Sequence, residues 1–212
     1  MPQVPIDPQR TALILFDFLN CYVYPPDPER RRHVAATGVV GRAQAMTAAA
    51  RAAGMPIFYT NGAHRADSSD DSPGLTDTGY DLTPWPDGPR RMGPPTALAG
   101  TPAGEVIPEL APQDGDWVIG KQSWSPFVGT ELNTVLRTLG VDTVAVAGGS
   151  TDVGIVATAY SARDMGFHVI VLRDACQSPF PGAQDFCMDR LFPRMARVMT
   201  VEQAIGLLPA AR

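Results

Sequence analysis

The sequence predicts an α/β fold: a three-layer α/β/α sandwich around a mostly parallel six-stranded sheet. Two observations carry this. Short apolar runs alternate with stretches of helical periodicity along most of the chain, and such alternation implies right-handed crossovers between parallel strands. The first run, Thr11-Ala-Leu-Ile-Leu-Phe-Asp17, is apolar without alternation, as expected of a strand covered by helices on both faces.

The elements follow in order. After the first strand, an Ala-rich helix runs from about Gly38 to Ala53 and is stopped by Gly54 and Pro56. Pro56-Ile-Phe-Tyr-Thr60 is a second strand and Asp116-Trp-Val-Ile-Gly120 a third. Leu132, Val135, Leu136 and Leu139 form a helical stripe that Gly140 ends. Thr143-Val-Ala-Val-Ala147 is the fourth strand. Val153, Val156, Ala157 and Tyr160 repeat the stripe up to Gly166. His168-Val-Ile-Val-Leu172 is the fifth strand. A helical segment at about Asp185 to Phe192 and a short strand at Arg197-Val-Met-Thr200 complete the pattern.

Residues 61–115 break this rhythm. They are rich in Gly, Pro, Asp and Ser, with one short helix expected after Thr101-Pro102, a cap followed by a first-turn proline. Connections this long are usually functional. The segment reads as a lid or subunit contact within one domain spanning 1–212, because too little regular sequence precedes it to form a domain of its own.

Composition narrows the function. A net charge of −5 and only short basic runs, Arg30-Arg31-Arg32 and Arg90-Arg91, argue against nucleic-acid binding. No apolar run approaches a membrane span and the first residues have no apolar core of a leader, so a cytoplasmic chain without membrane attachment is expected. Cys21, Cys176 and Cys187 are odd in number and widely spaced, unlike a disulfide framework.

In open α/β sheets ligands bind beyond the carboxyl ends of the strands, where strand order reverses. Three polar features fall at such ends: Asp17 after strand one, Lys121 after strand three, and Gly148-Gly-Ser-Thr-Asp152 between strand four and its helix. If the chain starts in mid-sheet, strands one and four are neighbours and the three flank one crevice. Each has a plain alternative. Asp17 serves equally as a turn cap, Lys121 as a solvent-facing loop residue, and Ser150, Thr151 or Asp152 as helix caps beside a tight turn.

These residues resemble the isochorismatase-like, or cysteine hydrolase, superfamily. Leu15-Phe-Asp-Phe-Leu-Asn20 resembles its opening strand and acid, Tyr59-Thr-Asn-Gly-Ala-His-Arg65 its second strand and exit, and Gly100-Thr-Pro-Ala-Gly-Glu-Val-Ile107 a segment ahead of its third strand. Gly120-Lys-Gln-Ser-Trp-Ser-Pro-Phe127 is similar to its lysine motif, Gly140 to Gly154 to the stretch leading to its nucleophile, and Asp174-Ala-Cys-Gln-Ser178 to its next strand end. The resemblance implies Asp17 as acid/base, Lys121 as catalytic lysine, and a cis bond between Gly149 and Ser150 that aims the N–H groups of 150 and 154 as an oxyanion hole. Gly154 falls where most members carry the nucleophilic cysteine. Leu19 and Cys21 depart from commoner polar residues of the opening motif. Of the Asp–His–His cluster of metal-binding members only His64 is present, so neither metal nor cofactor is expected. His64 and Arg65 are either substrate contacts or exposed loop residues. Trp124 and Phe127 are either an apolar wall of the site or lid packing.

Glycine cannot attack a carbonyl. Cys176 reads as a packed small hydrophobe, and Cys21, at a helix start, as pointing away from Asp17. The branch that lacks the cysteine implies another route: a protonated Asp17 gives its proton to the vinyl carbon of an enol ether, and water adds without a covalent intermediate. Glycine at 154 would also leave room for a bulkier, cyclic substrate. Two other readings stay open. One is an amidase-type C–N hydrolase whose nucleophile at 154 is absent or was mutated; the other is a non-catalytic member that binds a small molecule. The resemblance further implies a small, anionic substrate and a homodimer or homotetramer.

Overall fold

A computed structural model describes residues 4–67, 69–70, 96–180 and 182–209. Its core is a six-stranded sheet in the order β3-β2-β1-β4-β5-β6. The strands are β1 (Thr11–Phe16), β2 (Ile57–Gly62), β3 (Trp117–Lys121), β4 (Thr143–Gly149), β5 (His168–Gln177) and β6 (Arg197–Met199), and every pairing is parallel. β5 runs past the expected Leu172, because its pairing with β4 jumps register between Val146 and Gly148 and then resumes at Cys176 and Gln177.

The period-two geometry of β1 sends its side chains to two separate cores. Leu13 and Leu15 face α3 (Val39–Ala52) and α7 (Val201–Gly206), meeting Ala43, Met46, Val201 and Ala204. Ala12, Ile14 and Phe16 face α4 (Leu132–Thr138) and α5 (Val156–Asp164), meeting Leu132, Leu136, Ile155 and Ala159. Helices thus cover both faces, which is why β1 is apolar apart from Thr11 at its start.

Two helices of the first crossover were not legible as periodic patterns: α1 (Asn20–Val23) and α2 (Pro28–Thr37). α2 buries only Val34, so it has almost no apolar stripe. Its start is signalled instead by Asp27, whose carboxylate accepts from the Glu29 and Arg30 N–H groups, with Pro28 in the first turn. The Arg30–Arg32 run lies on this helix. The short helix expected after Thr101 is a 3₁₀ turn, Pro102–Gly104. The segment expected at 185–192 is α6 (Ala183–Phe186), continued by a π-helical turn, Cys187–Leu191. Of the 61–115 segment, residues 68 and 71–95 lie outside the described residues, and with them the middle of the expected lid and the Arg90-Arg91 pair.

The entry to β3 is fixed by a bidentate ion pair: Arg51 of α3 donates to both Asp116 carboxylate oxygens, at 2.9 and 2.6 Å. Among the described residues, no helix is long and apolar enough to cross a membrane.

Leu15 is fully buried in the central strand, and Leu15→Ala is expected to cost roughly 2–5 kcal/mol. Urea unfolding checks this, and an unchanged midpoint would contradict the packing described.

Candidate active site

The chain runs from β1 outward through β2 to β3, then returns to the other side of β1 for β4, β5 and β6. The order reverses between β1 and β4, so the crevice expected of such sheets opens there. Asp17 follows the last residue of β1 and has φ 53°, a left-handed conformation that Asp tolerates better than most residues. This turn brings the carboxylate inward. Its Oδ1 accepts from the Gly62 N–H at 2.7 Å, and its Oδ2 from Lys121 Nζ at 2.9 Å. The two side chains are 9% and 6% exposed.

Lys121 is the last residue of β3, not a loop residue, and strand alternation puts it on the same face as Ile119. Its ammonium also lies 4.2 Å from the centroid of the Phe16 ring, a cation–π contact. The ion pair is therefore walled by an aromatic face. Burial pushes the Asp17 carboxyl above its ordinary value, opposed in turn by the Lys121 ammonium, the Gly62 N–H and the charge of His64. Burial is the strongest of these effects, so the carboxyl holds its proton to higher pH than a solvated aspartate.

The β4–α5 turn supplies the third part. The Gly149–Ser150 peptide bond is cis. A π-helical turn, Thr151–Ile155, leads into α5, with the N–H groups of Val153 and Ile155 donating to the Ser150 carbonyl at 3.3 and 3.2 Å. The expected side-chain caps are not formed. Instead Asp152 accepts from the hydroxyls of Ser150 and Ser178, and Thr151 donates to Gln184 at 2.7 Å.

Gly154 is buried, and its setting overturns one expectation. A Cβ built there would overlap Cζ and Cε1 of Phe16, and even Cε2 would stand only 3.3 Å away. The space released by the missing side chain is filled by the Phe16 ring and is not open for a larger substrate.

Comparison with known proteins decides the family. The model of the isochorismatase domain matches residues 11–203. The chain belongs to the isochorismatase family. YecD, an uncharacterized isochorismatase family protein of Escherichia coli O157:H7, is 31% identical over 80% of this chain and 83% of its own length. A maleamate amidohydrolase of Pseudomonas putida is 33% identical over 78% of this chain and 71% of its own. The crystal structure of a cysteine hydrolase from Pseudomonas syringae pv. phaseolicola superposes with a TM-score of 0.78 at 30% identity, covering 99% of this chain and 97% of the other. The protein is accordingly a hydrolase of the α/β fold that the isochorismatase family shares.

Within this isochorismatase-family site, the remaining residues divide. His64 lies just past β2, held by an N–H bond to the Ala97 carbonyl at 2.9 Å, and its charge reaches Asp17. Arg65 is turned outward to Asp67, at 3.4 Å, and its side chain is 67% exposed, the bland alternative for that residue. Trp124 is exposed on the loop after β3. Phe127 is corrected: its ring packs in the core beneath α4, 5.6 Å from Phe167, which immediately precedes β5 at the opposite end of that strand. An apolar ring that reaches the interior is held there by burial and does not wall the crevice.

The thiols are not thiolates. Cys176 is buried, hydrogen-bonded to the Val146 carbonyl, and pushed up to about 12 by burial. Cys187 is raised by burial and by the charge of Asp152. Cys21 was expected to point away from Asp17, yet it lies within reach of that charge. Burial and Asp17 together push it up to about 11, which disfavours nucleophilic attack. Among the described residues, no group of three or more His, Cys, Asp or Glu side chains gathers as a metal cluster.

Sequence reasoning missed Phe16, Gly62, Tyr22 and Thr96. The Tyr22 hydroxyl and Asp17 Oδ1 lie 4.0 and 3.7 Å from where a Gly62 Cβ would stand, and the Thr96 side chain bonds to both Cys21 and Tyr22. Nothing in the sequence signals the contact of Phe16 with residue 154 or the place of Thr96.

The Asp17 carboxyl, followed by ¹³C NMR, is expected to titrate above its ordinary 3.8, and still higher in Lys121→Met, which removes the main opposing charge. A midpoint at or below 3.8 would contradict the burial described. Because the folded state holds this proton more tightly than the unfolded chain, the stabilisation it gives is complete below 3.8 and is lost as pH rises through the folded value.

Proposed function

We propose that the protein hydrolyses a small, carboxylate-bearing enol ether by acid catalysis from Asp17, without a covalent intermediate and without a metal. One observation carries this reading: the Asp17 carboxyl combines a raised proton affinity with a fixed position beside the Lys121 ammonium, while position 154 offers no side chain and its space is closed by Phe16.

The reaction balances with these residues. Protonated Asp17 gives its proton to the terminal vinyl carbon, leaving a carboxylate and an oxocarbenium ion. Lys121, 2.9 Å away, stabilises the carboxylate as it forms. Water adds to the cationic carbon, the hemiketal breaks its C–O bond to the leaving alcohol, and the proton released returns to Asp17. N–H groups of the Ser150–Gly154 turn bind the substrate's negative charge, the role an oxyanion hole would have in acyl transfer. His64 and Trp124 border the substrate.

Amidohydrolase relatives favour a second reading, C–N bond cleavage. That chemistry needs a nucleophile. The three cysteines are all held protonated, which supports the enol-ether reading over it. A binder without turnover has no use for a buried acid.

Isochorismate is the first substrate to assay, with release of the keto acid as the signal. Turnover is expected with the wild type and to fall roughly 10²–10⁴-fold in Asp17→Asn, which keeps the shape and tolerates the left-handed backbone. Activity is expected to decline as pH rises through the Asp17 value, since the protonated form is the reagent, and to survive excess EDTA. Full activity of Asp17→Asn on enol ethers, or turnover of amides alone, would overturn the proposal.

A further inference from the structure

We infer that Phe16 is the specificity-determining residue that commits this site to chemistry without a covalent intermediate. Its ring fills the volume a side chain at 154 would need, so positions 16 and 154 form one exchangeable steric pair. The inference deepens the functional reading above and takes its meaning from it, but its steric content stands on the packing alone.

Neither partner can move aside. Phe16 is 2% exposed and sits in the central strand, registered with Thr60 of β2 on one side and Gly148 of β4 on the other. Its ring lies beneath the Lys121 ammonium at 4.2 Å, so tilting it away would uncover that charge. Gly154 is held as firmly: its carbonyl accepts from Thr158 Oγ1 at 2.6 Å, and the next N–H, of Ile155, is bonded to the Ser150 carbonyl. Overlap with the ring would begin at Cβ, and the sulfur of a cysteine reaches farther than that atom. Relief has to come from a smaller side chain at 16. With valine there, a thiol at 154 would take the place of the ring, beside the Lys121 ammonium, a setting that favours thiolate. The absence of sulfur and the presence of the ring are thus a single feature of the site, and glycine at 154 by itself does not explain the lost nucleophile.

The test compares Gly154→Cys, Phe16→Val and the double variant in the full-length protein. Gly154→Cys alone is expected to lower Tm by roughly 5–10 °C through overpacking. Adding Phe16→Val is expected to recover most of that loss, so that the two shifts do not add. Iodoacetamide at pH 7, with peptide mapping to separate residue 154 from Cys21, Cys176 and Cys187, reads the thiol directly as the S–C bond forms and iodide leaves. Alkylation at 154 is expected to be at least tenfold faster in the double variant than in Gly154→Cys. If Gly154→Cys fails to fold, a folded double variant with a reactive thiol supports the inference. Additive Tm shifts, equal alkylation rates or a double variant that folds no better than the single one overturn it. These readouts need no substrate, so they can fail while enol-ether turnover holds, or hold while it fails.

Discussion

The Lys121 ammonium reaches Asp17 across β2, which lies between their two strands. Spanning two strand spacings, ~10 Å, takes a side chain as long as lysine, and it takes a clear path. Gly62 lies level with Lys121 in the neighbouring strand. A side chain there would press on Ala97, 2.8 Å from its first carbon. The same glycine gives its N–H to the carboxylate. The geometry of the crevice therefore depends on one ion pair bridging a strand that ends without a side chain. The left-handed turn at Asp17, the burial of both charged groups and the aromatic face beneath the ammonium are its supporting conditions.

Burial and charge pull on Asp17 in opposite directions, and the outcome decides what chemistry is open. A carboxyl deep in an apolar sheet resists ionising; an ammonium at hydrogen-bond distance invites it. With burial the stronger effect, the group is suited to donate a proton to a substrate, and the ammonium then steadies the anion left behind. A cysteine hydrolase asks the opposite of its aspartate, which must be ionised to take a proton from sulfur. The amidohydrolases and cysteine hydrolases that this chain resembles share its fold. In this chain that balance at one carboxyl goes with a volume at position 154 that the Phe16 ring fills.

Much of the layout was legible. Unbroken apolar runs located the buried parallel strands, because a strand covered on both faces has no polar alternation to hide it. Asp17 and Lys121 could be placed together because parallel strands put their carboxyl ends on one side. α2 escaped because it buries a single residue and so has no periodic stripe. Phe127 misled because an aromatic after a lysine motif looks the same in sequence whether it lines a cleft or fills a core. For Arg65 the sequence left a substrate contact and an exposed loop residue both open, because a cation near a strand end does not reveal that Asp67, two residues on, pairs with it. The role of Phe16 was hidden for a different reason: contact with residue 154 depends on two elements packing face to face, and the sequence records neither the distance nor the ring's direction.

The ion pair joins residues 104 positions apart in the chain, and Phe16 meets Gly154 over a still longer separation. Contacts of such high contact order form late, after the entropy of closing long loops has been met. No contiguous fragment carries the acid, the ammonium and the glycine turn unless it holds most of the chain. The Asp17 carboxyl therefore takes on its buried, ion-paired setting only once β2, β3 and β4 are assembled beside β1. The acid, the ammonium and the glycine turn thus meet only in the completed sheet, and a fragment that lacks any of its central strands lacks the site.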